Sequence, residues 1–589
     1  MKRKILAITL GAALFAAAML SGCANIQRGV ETEPEDTSKT QLYVGCWDGG
    51  FRTNWLDELA DGFEEEFADV SLEDGKTGVQ VWVNPSKNYA HDSVATSILG
   101  VEDDIVICEQ ANYYAFVQNN SALEITDIVT DILDEYGETR SIEGKMSQND
   151  REFYGVLQED GSRKYYALPW YASFFGINYD IDLFEDCNYY FAAEGTGYNG
   201  FVTSLTDRRS NGPDGVPCEV CAANGYNYSE HLNCDDGLPA TYEEFFALCD
   251  KIASDGLIPI IWTGAVRSYM NSFTSSLAND AEGYAQASLN YTLDGTQATT
   301  LIRSIGSDGT LEFMDPVGID NTNGYLMQKQ AGKYYALQFM VTLVNTRDSL
   351  TGQTKYYNEQ DGFSSTNSHT VAQAKFLNSK YSDDSATIAM IAEGSWWYNE
   401  ATPTFNALSS IPGAGQLERR IGFMPMPKPN ETYLGEACYT NTWITDIVIR
   451  ANIDESKIRA AKEFIRYIHT DESLSLFTRY ANGVRLFDYQ LTAEDEPNTS
   501  YFAKQALEIY RTEQIVNPWS SNPLVYNNLS SFVGNFTSEV GTGNDTDLYT
   551  VVITGLRGGT VTGRQYFEGL SNYMDEDMWN STFRNYISG

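Results

Sequence analysis

From residue 41 onward, short apolar runs of strand type alternate with amphipathic helical runs, and this alternation restricts the chain to α/β architectures. Residues 41–47 (QLYVGCW) read as a strand that ends in the turn Asp48-Gly49-Gly50. Trp55, Leu56, Leu59, Phe63 and Phe67 then recur at helical spacing, and residues 79–83 read as a second strand. A third strand at 104–108 (DIVIC) is followed by Glu109 and a helical run at 112–117. Further along, 239–253 (PATYEEFFALCDKIA) is a helix with Thr241 as its cap and Glu244 at the capping-box spacing. Strands follow at 258–262, 387–392 and 421–426, and amphipathic helices at 457–468 and after Thr470. Ligands of open α/β sheets bind at the carboxyl ends of strands, the position of Asp48 and Glu109; the competing role for either is a helix cap.

At 589 residues the chain exceeds the roughly 250–300 at which one core stops growing, so two or more lobes are expected. Its formal net charge of −42 repels phosphate backbones, which excludes nucleic acid as a partner.

The amino terminus has the form of an export signal. Lys2, Arg3 and Lys4 precede an apolar run at 5–20, shorter than a comfortable membrane span. Leu20-Ser21-Gly22-Cys23 resembles the bacterial lipobox, which implies cleavage after residue 22 and lipidation of Cys23. An ordinary secretory signal with a chance cysteine is the alternative. Residues 24–40 are polar and aperiodic, and with Cys23 form a flexible tether to the outer face of the membrane.

Six segments, in order, resemble family 1 extracellular solute-binding proteins, the carbohydrate-binding group to which maltose-binding protein belongs. They are 119–127 (NNSALEITD), 166–179 (YALPWYASFFGINY), 238–252 (LPATYEEFFALCDKI), 389–398 (AMIAEGSWWY), 422–427 (GFMPMP) and 460–478 (AAKEFIRYIHTDESLSLFT). The resemblance implies an α/β two-lobe clamshell of the periplasmic-binding-protein type (type II), its hinge crossed several times. Lobe 1 is expected at 41–168 plus 435–482, and lobe 2 at 169–434 plus 483–589, with a cysteine-containing insertion at 187–236. It further implies a monomeric receptor without enzymatic activity, which captures a carbohydrate of oligosaccharide size and delivers it to ABC permease subunits.

Sugars offer apolar faces that lie on aromatic rings and hydroxyl pairs that donate to carboxylates, so a sugar site wants Trp beside Asp or Glu. Glu393, Trp396 and Trp397 fall within five residues at a strand-to-helix turn, with Trp396 the first stacking candidate. Trp170, after Leu168-Pro169, sits where the chain crosses the hinge, and Trp47, Asp48 and Glu109 supply the opposite lobe. Trp262 and Trp443 complete the candidate ligand-binding set. For each tryptophan, core packing is the competing role.

Of the eight cysteines besides Cys23, Cys187, Cys218, Cys221 and Cys234 fall in the one insertion. They can ligate a structural zinc, with His231 as a substitute ligand, or form two disulfides. Cys46, Cys108, Cys249 and Cys438 read as core residues, and no other cofactor is expected. The GxGxxG match at 195–200 lacks a framing strand–helix unit, and no catalytic motif is readable. The competing functions are a lipid-anchored glycoside hydrolase or polysaccharide lyase, which would need paired carboxylates, and a surface adhesion module.

Overall fold

The computed structural model describes residues 34–85, 87–224, 232–529, 562–573 and 575–587. The expected signal peptide, Cys23, most of the tether and His231 lie outside the described residues. Eight strands build two four-stranded sheets. In chain order they are β1 (Thr40–Cys46), β2 (Val79–Asn84), β3 (Ile105–Glu109), β4 (Phe175–Asp180), β5 (Ile258–Ile261), β6 (Ile388–Gly394), β7 (Ile421–Met424) and β8 (Thr445–Ile449). The first sheet has the order β8-β3-β1-β2, with β1 parallel to β2 and β3, and β8 antiparallel to β3. The second has the order β7-β4-β6-β5, with β5 and β6 parallel and β4 antiparallel to its two neighbours. Every residue of β3, β4, β6, β7 and β8 is buried, which is why β3, β6 and β7 read as nearly continuous apolar runs and not as alternating ones.

Helices cover the sheets as their spacing predicts. Along α1 (Asn54–Glu66), Trp55, Leu56, Leu59 and Phe63 are buried. α2 (Tyr242–Ser254) is capped by Thr241, whose Oγ1 accepts from the Glu244 N–H at 3.3 Å. The Glu244 carboxylate accepts in turn from the Ala240 N–H at 2.7 Å, one residue beyond the expected capping box. In the segment beyond α2, α3 (Arg267–Glu282) packs on α4 (Ala331–Asn345), with the rings of Phe273 and Phe339 6.0 Å apart. α5 (Ile458–Tyr467) and α6 (Asp471–Ala481) close over α1 through Phe464 against Phe63 at 5.2 Å and Phe477 against Trp55 at 4.9 Å. α7 (Tyr501–Thr512) lies on the second sheet, where Gln505 accepts from the Phe423 N–H at 2.7 Å. Among the described residues, no helix is long and apolar enough to cross a membrane.

The tether, expected to run to residue 40, ends earlier. Thr40 is already in β1, and the Asp36 N–H donates to Gln80 Oε1 at 2.9 Å while Gln41 Nε2 donates to the Asp36 carbonyl at 2.8 Å. These polar residues carry no apolar period because backbone and amide hydrogen bonds, not burial, attach them.

Three passages of chain join the sheets. Residues 168–174 run antiparallel to 441–447, bridged at Leu168–Ile447 and Phe174–Asn441. The Thr442 N–H donates to the Ser173 carbonyl at 2.9 Å, and the Ala172 N–H to the Val484 carbonyl at 2.8 Å. At the third passage, a Cβ on Gly483 would lie 2.2 Å from Cε1 of Phe51, a ring held edge-on to Trp170 and Tyr171. Gly483→Ala is therefore expected to destabilise the protein by about 1–3 kcal/mol, read as a lowered urea midpoint; an unchanged midpoint would mean that Phe51 moves freely.

Candidate ligand-binding site

The loop after β1 places lobe 1 against lobe 2. Gly49 and Gly50 have φ of 56° and 85°, and Arg52 follows at 59°. Asp48 Oδ1 accepts from the Gly50 N–H at 3.1 Å, which tightens the turn. A Cβ on Gly49 would lie 3.1 Å from Cη2 of Trp170 and 3.6 Å from Oε2 of Glu109. One on Gly50 would lie 3.3 Å from Cδ1 of Trp396. Bare backbone thus runs between a hinge tryptophan, a lobe 1 carboxylate and a lobe 2 tryptophan, and left-handed residues cluster here, as they do at functional loops.

Trp396 takes its position from Gly394 at the end of β6. A Cβ there would lie 2.1 Å from the indole's Cη2 and Cζ3, so only glycine lets the ring fold back over the strand. The Trp396 Nε1–H donates to the Tyr269 hydroxyl at 3.0 Å, and the half-buried Trp443 ring lies 6.4 Å away. Trp397 diverges into the lobe 2 interior, donating to Asn178 Oδ1 at 3.3 Å between Phe376 and Phe502.

The structure corrects three of the expected ligand-facing tryptophans. Trp170 is enclosed, with one face stacked on Trp55 at 6.0 Å and its Nε1–H donated to the Cys108 carbonyl at 2.9 Å. Trp262 is buried against Tyr357 and donates to the Gly362 carbonyl at 2.8 Å. Trp397 is buried as described. In each, the aromatic face is already used by another ring and the N–H by an interior acceptor. Trp47, Asp48, Glu109, Trp396 and Trp443 remain at the seam between the lobes, where Trp396 is also buried, packed against Tyr269 and covered by Gly50 of the lobe 1 loop.

Glu109 ends β3 and is buried; it accepts hydrogen bonds from the Tyr171 hydroxyl and, at 2.9 Å, from Gln110 Nε2. Burial raises its pKa, opposed by the hydrogen bonds from Tyr171, Gln110 and Trp47, while the charge of Asp48 raises it further. Glu393 lies within β6 opposite Gly176, not in the turn where it was expected, and is 1% exposed. Gln373 Nε2 donates to Glu393 at 3.0 Å and to Glu400 at 2.6 Å, and His369 Nε2 sits 3.0 Å from the other Glu400 oxygen. Burial, then the nearby Glu400 charge, pushes the Glu393 carboxyl up to about 8. Burial works to lower the His369 pKa, but the hydrogen bond and charge of Glu400 outweigh it, and the imidazole is raised. Tyr171, Tyr269, His369 and Gln373 were absent from the expected set. Tyr171 follows Trp170 directly, whereas Tyr269 lies on a polar helix and His369 a hundred residues further on, with no shared motif.

Within the insertion, Cys218, Cys221 and Cys234 come together with Asp236, and Cys187 does not join them. Cys187 lies instead beside Tyr189, Asp255 and Lys251. Cys46, Cys108, Cys249 and Cys438 are buried.

The folded-state pKa of Glu393 lies above its ordinary 4.5, so between that value and about 8 the folded protein holds a proton that the unfolded chain has lost. Raising pH through this window therefore lowers stability. Glu393→Gln removes the ionisation, and the variant should gain on the wild type in unfolding free energy from about pH 5 to about pH 8, as read from urea midpoints. A difference that does not change with pH would contradict the protonated carboxyl.

Residues 59–484 match the family described as bacterial extracellular solute-binding protein. No curated protein matches the sequence. Among solved structures, the apo form of RafE from Streptococcus pneumoniae aligns at a TM-score of 0.51 and 14% identity, covering 93% of this chain and 100% of that one. A chitin oligosaccharide binding protein aligns at 0.51 and 14%, covering 92% and 99%. At this identity the likeness establishes the fold, two α/β lobes about a multiply crossed hinge, and the family match spans both of them. The chain belongs to the bacterial extracellular solute-binding proteins.

Proposed function

We propose that this protein is a monomeric receptor that captures a carbohydrate between its lobes and delivers it to the permease subunits of an ABC importer, anchored by lipid on Cys23. The observation that carries this reading is the meeting of the Trp47–Gly50 loop of lobe 1 with Trp396 of lobe 2. Trp396, Trp47 and Trp443 offer aromatic surface, and Asp48 and Glu109 offer acceptors for paired hydroxyls. In the present arrangement Gly50 lies on the Trp396 indole. Rotation of the lobes about the crossings withdraws that loop, and a sugar ring takes the vacated face before closure. Contacts worth ~1–3 kcal/mol each, after ordering costs, reach the ~8 kcal/mol of a micromolar site. The name of the chitin oligosaccharide binding protein is in keeping with a ligand of oligosaccharide size. The reading includes no bond cleavage: Glu109 and Glu393 come from different lobes, and each is already enclosed by hydrogen-bond partners.

Calorimetric titration with a panel of mono- and oligosaccharides, chitin oligosaccharides among them, is expected to give saturable binding and unaltered sugars. Trp396→Ala should weaken the best ligand about tenfold or more, equivalent to ~1.4 kcal/mol. Gly394→Ala, which drives the indole from its place, should do the same. Unchanged affinity in both variants would remove Trp396 from the site, and product formation would replace the receptor by an enzyme. Cys23→Ser is expected to release the protein from the membrane fraction in cells of the source type.

A further inference from the structure

We propose that Cys218, Cys221, Cys234 and Asp236 form a zinc site that clips the 187–236 insertion onto lobe 2. One ligand atom from each residue lies within 4.8 Å of all the others. Four ligands at ~2.3 Å (sulfur) and ~2.1 Å (oxygen) from one tetrahedral zinc have mutual separations of about 3.5–3.8 Å, within that envelope. The Cys221 and Cys234 sulfurs are 2.9 Å apart, and no disulfide joins the described cysteines. The Cys221 thiol donates to the Cys234 sulfur at that distance, a contact that zinc replaces when it takes up both sulfurs as thiolates and opens the pair to the ~3.8 Å of a tetrahedral site.

The surroundings are those of a built site. The Cys221 N–H points at the Cys218 sulfur at 3.5 Å, so the Cys-x-x-Cys turn supports a thiolate at its first position. Asp236 is fully buried, and its Oδ1 accepts from the Cys218 N–H at 3.1 Å. Its Oδ2 lacks a hydrogen bond of good geometry, with the Cys234 thiol beside the carboxylate. A buried carboxylate oxygen without a well-placed donor is costly, and a metal cation supplies what it lacks. Three thiolates select a soft or borderline ion, and the added carboxylate favours zinc over copper(I). Their excess negative charge is offset by Arg208, which donates to the Asp236 carbonyl and lies flat over Tyr190 at 3.6 Å.

The metal would fix more than its ligands. Twelve residues separate Cys221 from Cys234, and Asp236 follows Cys234 two positions later, so one ion joins the Cys218–Cys221 turn to the returning chain at 234–236. Asn233 within that loop donates to Glu513 and, at 3.4 Å, to Thr512, at the end of α7 on lobe 2. Zinc at this point holds the insertion against that helix.

Elemental analysis of protein purified from zinc-supplemented cells and dialysed without chelator is expected to find one zinc per chain. Cys221→Ser and Cys234→Ser should lose it, Asp236→Ala should bind it more weakly, and Cys187→Ser should keep it. Because cysteine variants can misfold, the wild-type protein stripped with chelator is titrated with cobalt(II). Thiolate-to-cobalt charge-transfer absorption that zinc displaces supports the site. Chelation should also lower the melting temperature by several degrees and expose the 208–236 segment to protease, both reversed by zinc. Absence of stoichiometric metal with a Cys221–Cys234 disulfide found by alkylation of the denatured protein would overturn the proposal, as would zinc retained by Cys221→Ser.

Discussion

Hydrogen bonds between residues 172–174 and 441–442, with Val484 on the other side, fasten three passages of chain into one strip between the lobes. A strip paired through its backbone can bend or twist, but it cannot slip by one residue without turning every side chain to the opposite face. That constraint orients Tyr171 toward Glu109 and Trp443 toward Trp396. Under the proposed reading, rigid rotation about the strip is the motion that parts the lobes while keeping this pairing. The lobes are packed bodies, each with a buried sheet covered by helices, so deformation goes to the strip and to the seam beside it.

An acidic chain has to solve the burial of carboxylates, and here it does so in two ways. Asp180 at the end of β4 is paired with Arg419 at 2.6 Å and Lys380 at 2.9 Å, and these cations hold its pKa down against burial. Asp280 meets Lys428 at 2.9 Å with both side chains buried. Asp446 in β8 follows the other route. Both its oxygens are buried without a hydrogen-bond partner, and burial drives its pKa well up, which favours the neutral carboxyl. Glu393 shares this second route. The surplus negative charge thus stays in water, and the interior carries either neutral acids or neutralised ones.

The alternation of strand and helix was legible because each element carries its own period: α1 shows its apolar stripe, β7 is apolar throughout, and β3 and β6 are apolar up to Glu109 and Glu393. Thr241 and Thr470 were legible as caps because the cap is a local bond, and both accept from the N–H three residues on. What could not be read was which elements cover each aromatic face. Trp170 and Trp396 look alike in sequence, yet Trp55, 115 residues earlier than Trp170, covers one of them, while Gly394 folds the other over its own strand. The same holds for the cysteines. Spacing singled out Cys218, Cys221 and Cys234, but the fourth member is an aspartate, one of 81 acidic residues, and only the fold distinguishes it from Cys187.

The end of β6 separates two roles that sequence proximity had merged. Side chains alternate across a strand, so Glu393 and Gly394 face opposite sides of the sheet. Because Trp396 folds back over Gly394, the Glu393 carboxyl is turned away from the indole, toward Gln373, Glu400 and His369. Its neutral acid then serves the platform beneath the tryptophan and not a ligand above it. Under the proposed reading, acceptors come from Asp48 and Glu109 of lobe 1, and the leading aromatic face comes from Trp396 of lobe 2. Neither half holds a complete site, so affinity and closure are one process: a ligand that engages only one lobe gains half the contacts and has no means of drawing the other lobe in.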